Sequence, residues 1–91
     1  MKTIYKYQFK ITSEVQEFSI KGGYQVLHAG LDPTGVPCLW VAVDLEKSNE
    51  CPVAIQVVGT GGTIPQEQIN QHPTYLNSFV DRVYVWHIWL V

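Results

Sequence analysis

Apolar and polar residues alternate with a period of two along most of this chain, and no window carries an apolar stripe at helical spacing, so the pattern predicts strands. In the first segment Tyr5, Tyr7, Phe9 and Ile11 face one way while Lys6, Gln8 and Lys10 face the other. A turn at Thr12, Ser13 and Glu14 leads into a second strand, Gln16 to Lys21, with Phe18 and Ile20 inward. Gly22-Gly23 then supplies a tight hairpin turn. A third strand over Tyr24 to Leu31 ends at Asp32-Pro33-Thr34-Gly35, where proline presets one turn position and glycine accepts positive φ at another. Val36 to Asp44 is nearly all apolar, as expected of a strand covered on both faces.

After the polar loop Glu46 to Glu50, Val53 to Val58 is another apolar run, followed by the loop sequence GTGGTIP. Residues Gln66 to Thr74, bracketed by Pro65 and Pro73, read as an excursion with room for at most one helical turn. Tyr75 to Val80 and Val83 to Val91 are the last two strands, joined by Asp81-Arg82. The final strand is apolar on both sides, so it is expected between sheets or at a subunit interface. The pattern as a whole predicts one all-β domain over residues 1–91, mostly antiparallel, a small sandwich or barrel of about seven short strands.

Composition adds three constraints. With 91 residues there is room for one domain, and a chain of this size buries only about 60 % of its unfolded surface, which favours added stabilisation by assembly. Charged residues are 15 % against 46 % hydrophobic, so the polar surface is thin and a homo-oligomer is expected. The formal charge is -2 with no basic cluster, which argues against DNA or RNA as partner. No apolar run reaches the length of a membrane span and the first residues alternate, so no membrane partner is expected and the setting is read as cytoplasmic. Cys38 and Cys51 are then reduced thiols. With His28, His72 and His87 they form no zinc spacing, and no metal or cofactor is expected.

Candidate chemistry centres on Gly59-Thr60-Gly61-Gly62-Thr63, directly after a strand. Its glycines and hydroxyls could cradle an anion, or it could be a turn that needs glycine. It lacks the lysine and the following helix of a nucleotide P-loop. His87 lies in an apolar strand, where a core or interface role competes with a binding one. Nothing by local sequence pairs any histidine with a nucleophile or carboxylate, so no catalytic residue is assigned. Eleven aromatic residues is a heavy load, and Trp40 or Trp86 could stack on a base while Arg82 holds a phosphate.

Taken in order, Met1 to Tyr7, Val36-Pro37-Cys38-Leu39-Trp40 with Val43-Asp44, Val58 to Pro65, Tyr75, Ser78-Phe79 and Val85-Trp86-His87 resemble a family of short phage and prophage proteins of unknown function. In that family the loop often carries a histidine where this chain has Gly62. The resemblance implies a setting, a small accessory protein acting in the bacterial cytoplasm during infection, and no activity. In that setting the expected function is non-enzymatic sequestration of a nucleotide-derived immune signal, of cyclic nucleotide or ADP-ribose type, antagonising anti-phage defence. A protein–protein inhibitor or virion-associated interaction module is the alternative.

Overall fold

The computed structural model describes residues 1–67 and 72–91. The seven strands are β1 (Lys2–Gln8), β2 (Gln16–Lys21), β3 (Gln25–Leu31), β4 (Pro37–Asp44), β5 (Glu50–Gly59), β6 (Thr74–Asp81) and β7 (Tyr84–Leu90). They form two antiparallel sheets, one of order β1-β4-β3 and one of order β2-β5-β7-β6. The result is a sandwich, and the sheet does not close into a barrel. The excursion expected over 66–74 includes residues 68–71, which lie outside the described residues.

Alternation along each strand sorts side chains into a shared core and two outer faces. Leu39, Val41 and Val43 of β4 face Ile20 of β2, Val53, Ile55 and Val57 of β5, and Ile88 of β7. Phe9 and Phe79 close the layer edge to face, with ring centroids 6.1 Å apart. The strand Val36 to Asp44 was expected to be covered on both faces. Its inner face is fully buried, while Trp40 and Ala42 on the other side are half-buried. β5 begins earlier than the apolar run suggests, at Glu50. Pro52 fits because β7 pairs only with Ile55 to Gly59, so the proline nitrogen faces no ladder on that side.

Two hydrogen-bonding devices hold the layers in register. Asn77 on β6 reaches across to β3. Its Oδ1 accepts from the Ala29 amide at 2.9 Å, and its Nδ2 donates to the Ala29 carbonyl at 2.7 Å. The side-chain amide stands in for a strand partner at the open side of the sandwich. β3 and β6 each carry a register irregularity near this contact. The second device is Asp32 at the start of the β3–β4 turn. Its Oδ1 accepts from the Thr34 hydroxyl at 2.7 Å, the Thr34 amide at 2.8 Å and the Val36 amide at 3.0 Å. Its Oδ2 accepts from Lys6 of β1 at 3.0 Å. Cys38 is buried beside it, and burial pushes its thiol pKa up.

Ala29 is fully buried, so removing its partner strands an N–H and a C=O without water. Asn77→Ala should cost about 2–3 kcal/mol, read as a lower urea midpoint with the slope unchanged. For Asp32 the Thr34 hydroxyl, the Val36 amide and Lys6 together hold the carboxyl well below the usual carboxylate range. A depressed folded-state pKa stabilises the fold above the unfolded value of about 3.9, and that stabilisation is lost as pH falls below it. Asp32→Asn should therefore flatten the acid limb of a stability profile between about pH 5 and pH 2 and leave the slope near neutrality unchanged.

Candidate ligand-binding site

β7 is apolar on both faces because each face has its own neighbours. Trp86, Ile88 and Leu90 pack into the core, so Val85, His87 and Trp89 project from the outer face of the four-stranded sheet. Register sets Val58 of β5 and Ser78 of β6 on either side of His87, and Tyr75 beside Trp89. Beyond β5 the chain turns at Gly59 to Gly62 and brings Ile64 over this face. Loop and sheet enclose a pocket of about 230 Å³ whose walls include Gly59 to Gly62, Ile64, Val58, Tyr75, His87 and Trp89.

His87 ties the loop to the sheet. Its Nδ1 lies 2.5 Å from Ser78 Oγ and its Nε2 lies 2.9 Å from Thr60 Oγ1. Ser78 Oγ is in turn 2.6 Å from Tyr75 Oη, and the Thr60 hydroxyl donates to the Val85 carbonyl at 3.5 Å. Each hydroxyl has one proton to give. The arrangement that satisfies every contact runs from Tyr75 through Ser78 to Nδ1, then from Nε2–H through Thr60 to the Val85 carbonyl. This network assigns the neutral imidazole its proton on Nε2. Among the described residues no carboxylate bonds to His87. The one histidine–carboxylate pair there, His72 Nδ1 with Glu67 Oε1 at 3.0 Å, is exposed on the loop and lines no pocket with His87.

The glycine loop is a closed turn. The Thr60 amide donates to the Val85 carbonyl at 3.3 Å and the Gly62 amide to the Gly59 carbonyl at 2.8 Å, so these two donors are not available to an anion. Gly61 holds φ at +91°, which only glycine adopts without strain. A Cβ on Gly59 would sit 3.1 Å from a ring carbon of Trp86, so this glycine is the seat of that ring. At Gly62 a Cβ would meet both the Gly59 carbonyl and Val58 at 3.0 Å. A histidine at this position would require these neighbours to give way.

The nine candidate residues therefore divide. Gly59, Thr60, Gly61, Gly62 and His87 come together in the pocket. Thr63 is exposed and does not line it. Trp86 faces the core instead, with its ring against Gly59, and its indole Nε1 is a buried nitrogen without a hydrogen-bond partner among the described residues. Trp40 belongs to the other sheet, on the face opposite Leu39 and Val41, beside His28 at a ring distance of 6.1 Å. Arg82 stands at the tip of the β6–β7 hairpin, 88 % exposed, with its Nε 3.9 Å from Asp81. The sequence reading missed Trp89, Tyr75 and Ser78. Period-two parity alone puts Trp89, and not Trp86, on the His87 face.

A seven-stranded sandwich with a loop-walled pocket on one outer sheet face defines a small all-β domain. The chain belongs to the family described as a domain of unknown function, DUF7352, which spans residues 1–91. No curated protein and no solved structure matches it.

Arg82 adopts φ of 59°, the left-handed region, at a two-residue hairpin turn between the paired Asp81 and Tyr84. Non-glycine residues there cost of order 1 kcal/mol or more. Arg82→Gly should raise stability by about 1 kcal/mol in urea denaturation.

Proposed function

We propose that this protein is a non-enzymatic binding module that takes the base of a small nucleotide-derived molecule into the pocket beside His87 and Trp89. The observation that carries the reading is the pocket itself, with mostly apolar walls and few polar groups. Tyr75 and Trp89 meet edge to face there, with centroids 5.5 Å apart, and offer ring surface for stacking. Its volume of about 230 Å³ lies below the usual range of about 300–1,000 Å³ for small-molecule sites, which suits one ring system with sugar and phosphate outside the mouth. The Gly61 N–H, without a partner among the described residues, is a donor for a ring nitrogen or carbonyl. Phosphate capture by the loop forms no part of the proposal, because the Thr60 and Gly62 amides are committed within the turn.

In the phage setting implied by the motif resemblance, such a module acts by stoichiometric sequestration of a cyclic-nucleotide or ADP-ribose-type immune signal in the host cytoplasm. A second reading, a protein-contact module, is favoured by the β6–β7 hairpin, where Val80 is 63 % and Val83 86 % exposed.

Native mass spectrometry with a panel of cyclic oligonucleotides and ADP-ribose derivatives tests the first reading. One compound should be retained intact at a fixed ratio. A stacked base is worth about 1–3 kcal/mol, so Trp89→Ala should weaken that binding about fivefold or more. Trp40→Ala, on the opposite face, should leave it unchanged. A bare protein across the panel, or equal losses from both variants, sinks the pocket reading and moves attention to the hairpin.

A further inference from the structure

Both sheets end in strands with an unpaired edge, and the two edges on the β1/β2 side are built differently. β2 pairs with β5 alone. The Gly22 amide donates to the Asn49 carbonyl on the β5 side at 2.8 Å, which fixes the parity of the strand. Peptide groups of even-numbered residues point toward β5, and those of Glu17, Ser19 and Lys21 point away from the sheet with no strand to meet them. On β1 the Phe9 amide bonds the Pro37 carbonyl, and the Met1 carbonyl accepts from Leu45. The outward groups there belong to Lys2, Ile4, Lys6 and Gln8. Pairing β1 with itself would bring Lys2 and Lys6 of both copies together with no acid on the strand to complement them, Lys6 being already held by Asp32 of its own chain, an ordinary device against edge association.

β2 carries the opposite pattern. Antiparallel pairing of two copies must set outward-pointing residues against each other. Centred on Ser19, it places Glu17 of each copy opposite Lys21 of the other, twice over. Within one protomer neither Glu17 nor Lys21 belongs to an ion pair among the described residues. On the inner face Phe18 would lie opposite Ile20 of the second copy, and Ile20 opposite its Phe18, so the apolar layer continues across the axis. The sequence of β2 is thus self-complementary in hydrogen bonding, charge and apolar pattern. We infer that two copies of this chain pair antiparallel through β2 about a two-fold axis at Ser19, joining two four-stranded sheets into one of eight strands. The interface supplies about six backbone hydrogen bonds and two cross-strand ion pairs.

Charge exchange across the axis tests this. Analytical ultracentrifugation should find the wild-type protein dimeric. Glu17→Lys and Lys21→Glu each set like charges opposite at both contacts and should weaken self-association by about tenfold or more. Mixed in equal amounts, the two variants should form a one-to-one heterodimer, since every contact is again between opposite charges. Ser19→Pro removes a single outward N–H on the axis and should also yield monomer, with circular dichroism and melting temperature confirming that each variant is folded. A wild-type protein that stays monomeric overturns the inference. So does a dimer indifferent to both charge variants, or a mixture that forms no heterodimer.

Discussion

The sandwich depends on one polar contact made where no strand pairing is possible. Two stacked sheets present edges side by side, and a buried peptide group on such an edge must find a partner or carry a desolvation penalty. Asn77 meets this need for Ala29 by offering a side-chain amide, one acceptor and one donor, in the geometry of a neighbouring strand. At the other side Gln16 does the same for Lys10, with both bonds at 2.8 Å. There the peptide is exposed, so the gain is smaller. With both open sides latched by amides, the two sheets keep a fixed offset, and the residues on their outer faces are placed by register alone.

The pocket is a product of that placement. β7 runs between β5 and β6, so one of its faces belongs to the core and the other collects side chains from three strands. The loop after β5 then folds back over the outer face because Gly59 lets Trp86 press against its backbone and Gly61 permits the reversal. His87 joins the two, bonded to the loop through Thr60 and to the sheet through Ser78. The same imidazole that shapes the pocket wall therefore holds the loop in position.

Much of the architecture was legible in the sequence because period-two alternation is a direct consequence of the pleat. The β2 limits coincide with those expected, and the Asp32 turn follows from its composition. What could not be read was pairing between strands. Trp40 and Trp86 were grouped with the glycine loop because tryptophans suit stacking, but parity faces Trp86 inward and topology sends Trp40 to the other sheet. Ser78 and Tyr75 were not legible as site residues because their proximity to His87 exists only through the β6–β7 register. Asn77 gave no sign of its role either, since a polar residue in a strand reads as solvent-facing until its cross-sheet partner is known.

The strand order carries a consequence for how quickly the chain reaches this state. Of the five strand pairings, only β3–β4 and β6–β7 join sequence neighbours; β1–β4 and β2–β5 each bridge two intervening strands and β5–β7 bridges one. Such non-local pairing is slow, because loop entropy is lost before the contacts that repay it are made, and all-β domains of this kind fold in milliseconds to seconds. The two local hairpins are the natural starting points. One of them is turned by Asp32 and its four hydrogen bonds, while the other must pass through the left-handed backbone of Arg82. The slow step of assembly thus falls after the hairpins, where β5 must dock on a β6–β7 unit that already supplies most of the pocket's sheet wall.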